Sequence, residues 1–159
     1  MNNWNALQAC ADQSEIEALI DDMIQGFVYE CNRYKAEKLF RIHWDGDFYS
    51  DEYTRAWRAV IRKYPDVQFW VYTRVESAVR ILVGLDNLSL YFSADRENAE
   101  TAATLRAETG VNIAYLDSTF QQAKEMMVEI LGKSAPRCPE NNKAIPLIDS
   151  EGSACAKCR

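Results

Sequence analysis

No stretch of about 18 apolar residues occurs in this chain, which excludes a membrane-spanning helix. The first residues, Met1-Asn2-Asn3-Trp4-Asn5, lack the basic and apolar regions of a signal peptide. A cytoplasmic protein is therefore expected, where thiols stay reduced and clustered cysteines favour a metal over a disulfide. An excess of positive charge is missing too: the formal net charge is −6. Binding nucleic acid through its backbone needs a basic surface that displaces counterions, so such a partner is not expected. Arg55, Arg58, Arg62 and Lys63 could make a local basic patch, but on one exposed helix they read as a solvated face. Internal repeats, low-complexity segments and flexible interdomain linkers are absent. The 159 residues suit a single domain, 1–159, with a real core. Histidine occurs once, as His43. A lone histidine reads first as a satisfied inward polar group and only second as a metal ligand.

What the chain does have is cysteine near its C-terminal end. Three of five cysteines fall in the last 22 residues: Cys138, then Cys155-Ala156-Lys157-Cys158. A Cys-x-x-Cys turn aims two sulfurs at one point, so these thiolates can grip one metal centre. Cys138 precedes Pro139, and Cys-Pro is common beside iron–sulfur clusters. A disulfide, a redox Cys-x-x-Cys or idle thiols are the alternatives.

Hydrophobic periodicity gives five helices alternating with four strands. The first helix is expected from Ser14, with Glu17 completing a capping box. Its apolar stripe is Ile16, Leu19, Ile20, Met23, Ile24, Phe27, Val28, Cys31 and Tyr34, which makes Cys31 a core residue. Strands are expected at 39–44, 67–73, 88–92 and 111–116, and helices after Ser50, over 75–83 and 97–108, and from Ser118 to 131. Residues 134–159 read as an irregular Cys-bearing tail.

Regular alternation of strand and helix implies parallel strands with right-handed crossovers. Four units are too few for a closed barrel, which leaves an open doubly wound sheet or a partial barrel. In the first strand, Phe40, Ile42 and Trp44 share one face, and Arg41 and His43 the other. With Trp70, Tyr72, Ser89, Tyr91 and Asn112, the second face is polar and aromatic. Helices do not pack on such a face. A partial (βα) barrel of about four parallel strands is expected, with helices on the convex side only.

In parallel α/β architectures the functional end lies beyond the strands' C-termini. Asp45, Gly46, Asp47, Thr73, Arg74, Ser93, Asp95 and Asp117 belong there, and Cys10 joins them because the following helix starts at that end. Asp47, Arg74, Ser93 and His43 are the candidate small-ligand residues. Each has a plain structural reading as well: Asp47 as a turn residue, Arg74 as a partner of Asp47 or Asp95, Ser93 as a helix-start residue. The tail's 20-odd residues could span the distance back to Cys10, at roughly 3.3 Å per residue.

The stretch Phe40-Arg41-Ile42-His43-Trp44-Asp45-Gly46-Asp47-Phe48-Tyr49-Ser50-Asp51-Glu52-Tyr53, with Ala56-Trp57, resembles a bacteriophage family named after mycobacteriophage gene product 88. The resemblance continues through Pro65 to Arg74, through Asn87 to Ser93, and into the cysteine tail. It implies a phage protein in the cytoplasm of the infected host. It also favours one [4Fe–4S] cluster over zinc, held by Cys138, Cys155 and Cys158 with Cys10 as fourth ligand. The pattern is similar to the partial barrel of radical S-adenosylmethionine enzymes, in which Gly46-Asp47 would stand beside the cofactor's amine. This sequence lacks their Cys-x-x-x-Cys-x-x-Cys loop. A redox-sensing role or a host protein partner is expected before radical catalysis on a small molecule.

Overall fold

The computed structural model of the chain describes residues 3–138, 148, 149, 152 and 153. It is an α/β structure. Helices α1 (Asn3–Ala9) and α2 (Gln13–Tyr34) precede four βα units: β1 (Leu39–Arg41) and α3 (Asp51–Lys63), β2 (Gln68–Thr73) and α4 (Glu76–Leu82), β3 (Leu88–Ala94) and α5 (Ala99–Thr109), β4 (Asn112–Tyr115) and α6 (Phe120–Leu131). A short antiparallel ladder, β5 (Ile148–Asp149) with β6 (Gly152–Ser153), interrupts the tail expected to be irregular.

The strands are parallel and ordered β1-β2-β3-β4. The order never reverses, so the sheet lacks the switch point of a doubly wound fold. Right-handed crossovers that all step the same way put the connecting helices on one side. Burial agrees. Phe69, Val71, Thr73, Leu90, Phe92, Ala94 and Ile113 are buried, and the pairings Phe69↔Leu88, Val71↔Leu90 and Phe92↔Ile113 put them on one face. Against them pack Trp57, Val60 and Ile61 of α3, Val79 and Leu82 of α4, and Leu105 of α5. Trp57, only 2 % exposed, has its ring 6.1 Å from Phe40, 6.4 Å from Tyr53 and 6.5 Å from Phe69. Such aromatic pairs contribute about 0.5–1.5 kcal/mol each beyond the area they bury.

Several local expectations are corrected. Helix α1 was not anticipated; its following residue Cys10 and its Leu7 pack on the core. The α2 cap is Asp12 rather than Ser14: Asp12 Oδ1 accepts from the Ser14 and Glu15 amides at 2.8 and 3.1 Å. Glu15, not Glu17, reaches back to the Ala11 amide at 2.8 Å. A carboxylate two residues upstream serves two amide donors at once, which a hydroxyl does less well. On α2, Leu19, Met23 and Tyr34 are exposed, while Cys31 is buried as expected. Strand β1 stops at Arg41, and Trp44 lies outside it, 87 % exposed instead of inward. Here Arg41 Nε donates to the His43 carbonyl at 2.8 Å and the chain turns through Gly46, whose φ is +80°. Thr119, not Ser118, caps α6, accepting from the Gln122 amide.

Candidate functional site

The loops after the four strands are tied together by side chains. Asp47 is the first knot. Its Oδ1 accepts from the Thr73 hydroxyl at 2.6 Å and its own loop's Phe48 amide at 2.8 Å, and its Oδ2 accepts from the Arg74 amide at 2.7 Å. Thr73, 1 % exposed, also accepts from the Val75 amide at 3.0 Å. The loop after β1 is thus fastened to the loop after β2. The Arg74 guanidinium donates to Asp95 Oδ2 at 2.6 Å, joining the loops after β2 and β3. Arg96 Nε donates to Asp117 Oδ2 at 3.0 Å and joins the loops after β3 and β4. The arginine bonds hold the Asp95 and Asp117 carboxyls below the usual carboxylate range. Asn98, which the sequence reading missed, accepts from the Asp95 amide and donates to the Ser93 carbonyl. The Ser93 hydroxyl has no hydrogen bond among the described residues.

His43 sits beside this row. Its Nε2 shares a hydrogen bond of 3.1 Å with the Tyr53 hydroxyl, and its ring lies 4.6 Å from Phe48. Nδ1 is buried with no partner. Burial pushes the imidazole below its ordinary value, against the pull of Asp47. His43 is therefore a neutral, half-buried packing group at neutral pH. Tyr49 stacks on Tyr53 at 4.6 Å and meets Trp4 of α1 edge-on at 5.3 Å. Tyr49 precedes the Ser50 cap of α3 and Tyr53 lies in its first turn, four residues on.

Cys10 lies close to Tyr49, whose hydroxyl pKa is raised first by burial and then by that thiol. Its Sγ donates to the Ala6 carbonyl at 3.4 Å. At the far side of the sheet, α6 ends at Gly132 and the chain turns back. The Arg137 guanidinium carbon lies 3.4 Å from the centre of the Phe120 ring, at the opposite end of α6. Cys138 follows, exposed. The Arg137 side chain thus reaches the start of α6, which follows β4. Cys155 and Cys158 lie outside the described residues. Among the described residues no group of three or more His, Cys, Asp or Glu can hold a metal ion. No described helix is long and apolar enough to cross a membrane.

This row differs from the expected one in one respect. Asp47 and Arg74 use most of their capacity on the protein itself, so they act first as fasteners between loops. Ser93, whose hydroxyl has no hydrogen bond among the described residues, and the half-buried His43 are the less committed members.

No solved structure matches this chain. The chain is 52% identical over 160 residues to the Gene 88 protein of Mycobacterium phage L5, covering 99% of this chain and 64% of that protein. It is 48% identical over 161 residues to the Gene 88 protein of Mycobacterium phage D29, again covering 99% and 64%. The chain thus spans 64% of the length of these curated relatives. The family model described as Gene product 88 matches residues 1–159, and the chain belongs to that family.

Proposed function

We propose that this chain is a phage-encoded iron–sulfur protein that binds one [4Fe–4S] cluster in the cytoplasm of the infected host. Cys10, Cys138, Cys155 and Cys158 are its ligands. The reading is supported by the cysteine spacing, Cys138 and then Cys155-x-x-Cys158, and by Arg137, next to Cys138 in sequence, lying against Phe120 at the start of α6. The donor chemistry fits: four soft thiolates suit such a cluster. When bound, the cluster supplies one-electron redox chemistry. The protein's part is to hold the thiolates at the strand ends and to shield the site with the Trp4, Tyr49 and Tyr53 rings. The role that follows is redox sensing or engagement of a host protein. The one-sided arrangement of helices supports a partial (βα) barrel as the fold's finer description.

Two rival readings share the same residues. Zinc takes the same thiolates and would make the tail a structural clasp. A radical S-adenosylmethionine-like enzyme needs an iron with an open position, which four thiolates deny. The engagement of both Asp47 oxygens by Thr73, Phe48 and Arg74 also speaks against a role in holding a cofactor amine.

Anaerobic purification with iron, sulfide and zinc counted per chain separates these readings. Brown protein with the broad visible absorption of thiolate-bound clusters is expected. Cys138→Ala, Cys155→Ala, Cys158→Ala and Cys10→Ala should each lose iron, and Cys31→Ala should keep it. A colourless protein carrying zinc and no iron would sink the cluster reading. A change in the electron paramagnetic resonance spectrum on adding S-adenosylmethionine would move the protein into the enzyme class.

A further inference from the structure

One buried hydroxyl–imidazole pair stands apart from the loop fasteners. Tyr53, in the first turn of α3, is buried, and its hydroxyl lies 3.1 Å from His43 Nε2. No carbonyl or carboxylate among the described residues accepts the Tyr53 proton, so the acceptor is His43 Nε2. The opposite tautomer would bury both the phenol proton and the Nδ1 lone pair without partners. The Tyr53 ring stacks on Tyr49 with centres 4.6 Å apart and planes at 20°, and Tyr49 meets Trp4 edge-on at 5.3 Å. Trp4 and Tyr49 are exposed. An unbroken path of electron-rich rings therefore runs from the surface to a buried phenol.

A phenol that loses an electron becomes a very strong acid. Tyrosine therefore gives up an electron readily only where a base takes its proton at once. His43 is such a base. Burial holds it below its ordinary value, so at neutral pH its Nε2 is free to accept, and Asp47, pulling the other way, steadies the imidazolium that forms. Trp57, its ring centre 6.4 Å further in, has a buried indole N–H with no hydrogen-bond partner among the described residues, so no base waits for its proton. Tyr64 also faces a base, donating to Asp21 Oδ1 at 2.8 Å. There the Lys63 ammonium lies 5.8 Å from the ring centre and 2.7 Å from the same carboxylate, which opposes positive charge on that ring.

We infer that Tyr53 is a redox-active tyrosine, on which an oxidising equivalent landing on Trp4 or Tyr49 comes to rest. The oxidant is a one-electron acceptor of the class of oxygen-derived radicals, and it is reduced at the exposed Trp4 or Tyr49 ring. That ring is refilled by one electron from Tyr53. The phenol O–H bond breaks, its proton forms an N–H bond at His43 Nε2, and a neutral phenoxyl radical hydrogen-bonded to an imidazolium remains. Return of one electron and the same proton restores the pair. The site takes no cysteine and is separate from the metal reading.

Full-length protein, as purified, is illuminated with tris(bipyridine)ruthenium and persulfate, which supply a one-electron oxidant. It is frozen for electron paramagnetic resonance after a pause in which radicals on exposed rings decay. A tyrosyl radical is expected, identified by a signal that narrows when ring-deuterated tyrosine is incorporated, as no metal signal would. Tyr53→Phe keeps the ring and should lose the signal at unchanged far-ultraviolet circular dichroism. His43→Gln keeps Tyr53 but removes the base, and should lose it too. Tyr49→Leu breaks the path and should weaken it. Tyr64→Phe, and Tyr29→Phe at an exposed ring elsewhere, should leave it unchanged. Absence of a tyrosyl signal in the unaltered protein overturns the proposal. So does a signal that Tyr53→Phe or His43→Gln leaves intact.

Discussion

Asp47 shows how one residue can serve two readings. Its position after β1 suits a ligand, yet three protein donors already occupy it, one of them the nearly inaccessible Thr73 hydroxyl. Asp47→Asn keeps the size but turns an amide toward a donor. It should lower stability by about 1–3 kcal/mol, read from the urea midpoint, because it leaves buried donors unsatisfied. His43 gives a prediction with a sign. Burial depresses its pKa below the ordinary 6.5, so the unfolded chain takes up a proton that the folded chain refuses. Its stabilising contribution is full above that value and declines as pH falls through it, until the folded imidazole protonates as well. The carboxylates held low, such as Asp21, Asp95 and Asp117, act only further down, near and below about pH 4. Urea denaturation should therefore show a loss of stability as pH falls through the ordinary value of 6.5 that is absent in His43→Gln. An equal loss in both proteins would refute this assignment.

Caps and linkers mark where sequence reading went astray among the elements. Ser118 and Thr119 are adjacent, and either hydroxyl could cap α6. The backbone chose Thr119, whose extended φ of −136° places its oxygen on the Gln122 amide. Thr119→Ala should cost about 1 kcal/mol and Ser118→Ala less than about 0.5 kcal/mol, compared by thermal denaturation. Asn87 stands immediately before β3. Its Nδ2 donates to the carbonyls of Ile61 and Tyr64 at 3.0 Å and of Val67 at 3.1 Å, tying the end of α3 to the start of β3. Asn87→Ala should be destabilising by about 1–3 kcal/mol, far more than a turn substitution, with the urea midpoint as readout.

For the whole molecule, the telling feature is a sheet that packs all its buried residues on one side. Trp57 and Phe69 meet at the centre of that packing, each at most 2 % exposed. Trp57→Ala opens a cavity that the flanking Phe40, Tyr53 and Phe69 rings can only partly fill. A loss of about 3–5 kcal/mol is expected in denaturant unfolding, enough to threaten a domain of this size. Trp44, in the loop after β1 and 87 % exposed, has no such role, so Trp44→Ala should fold normally. Comparing the two tryptophan variants separates the packed ring from the exposed one.

Local pattern determined much of this. Alternation along strands and the 3.6-residue stripe on helices are properties of neighbouring residues. They gave the four βα units, the buried Cys31 and the polar-aromatic face without any long-range information. The cysteine spacing is likewise a matter of sequence alone. Tertiary structure decided the rest, because it depends on partners far apart in the chain. Trp44 ended outside the sheet because pairing between β1 and β2 stops at Arg41 and Trp70. Asp47 became a fastener because β2 lies next to β1 and brings Thr73 and Arg74, 26 and 27 residues away, within hydrogen-bond reach. No period in the sequence encodes a contact across that separation. Only the order in which the strands assemble does.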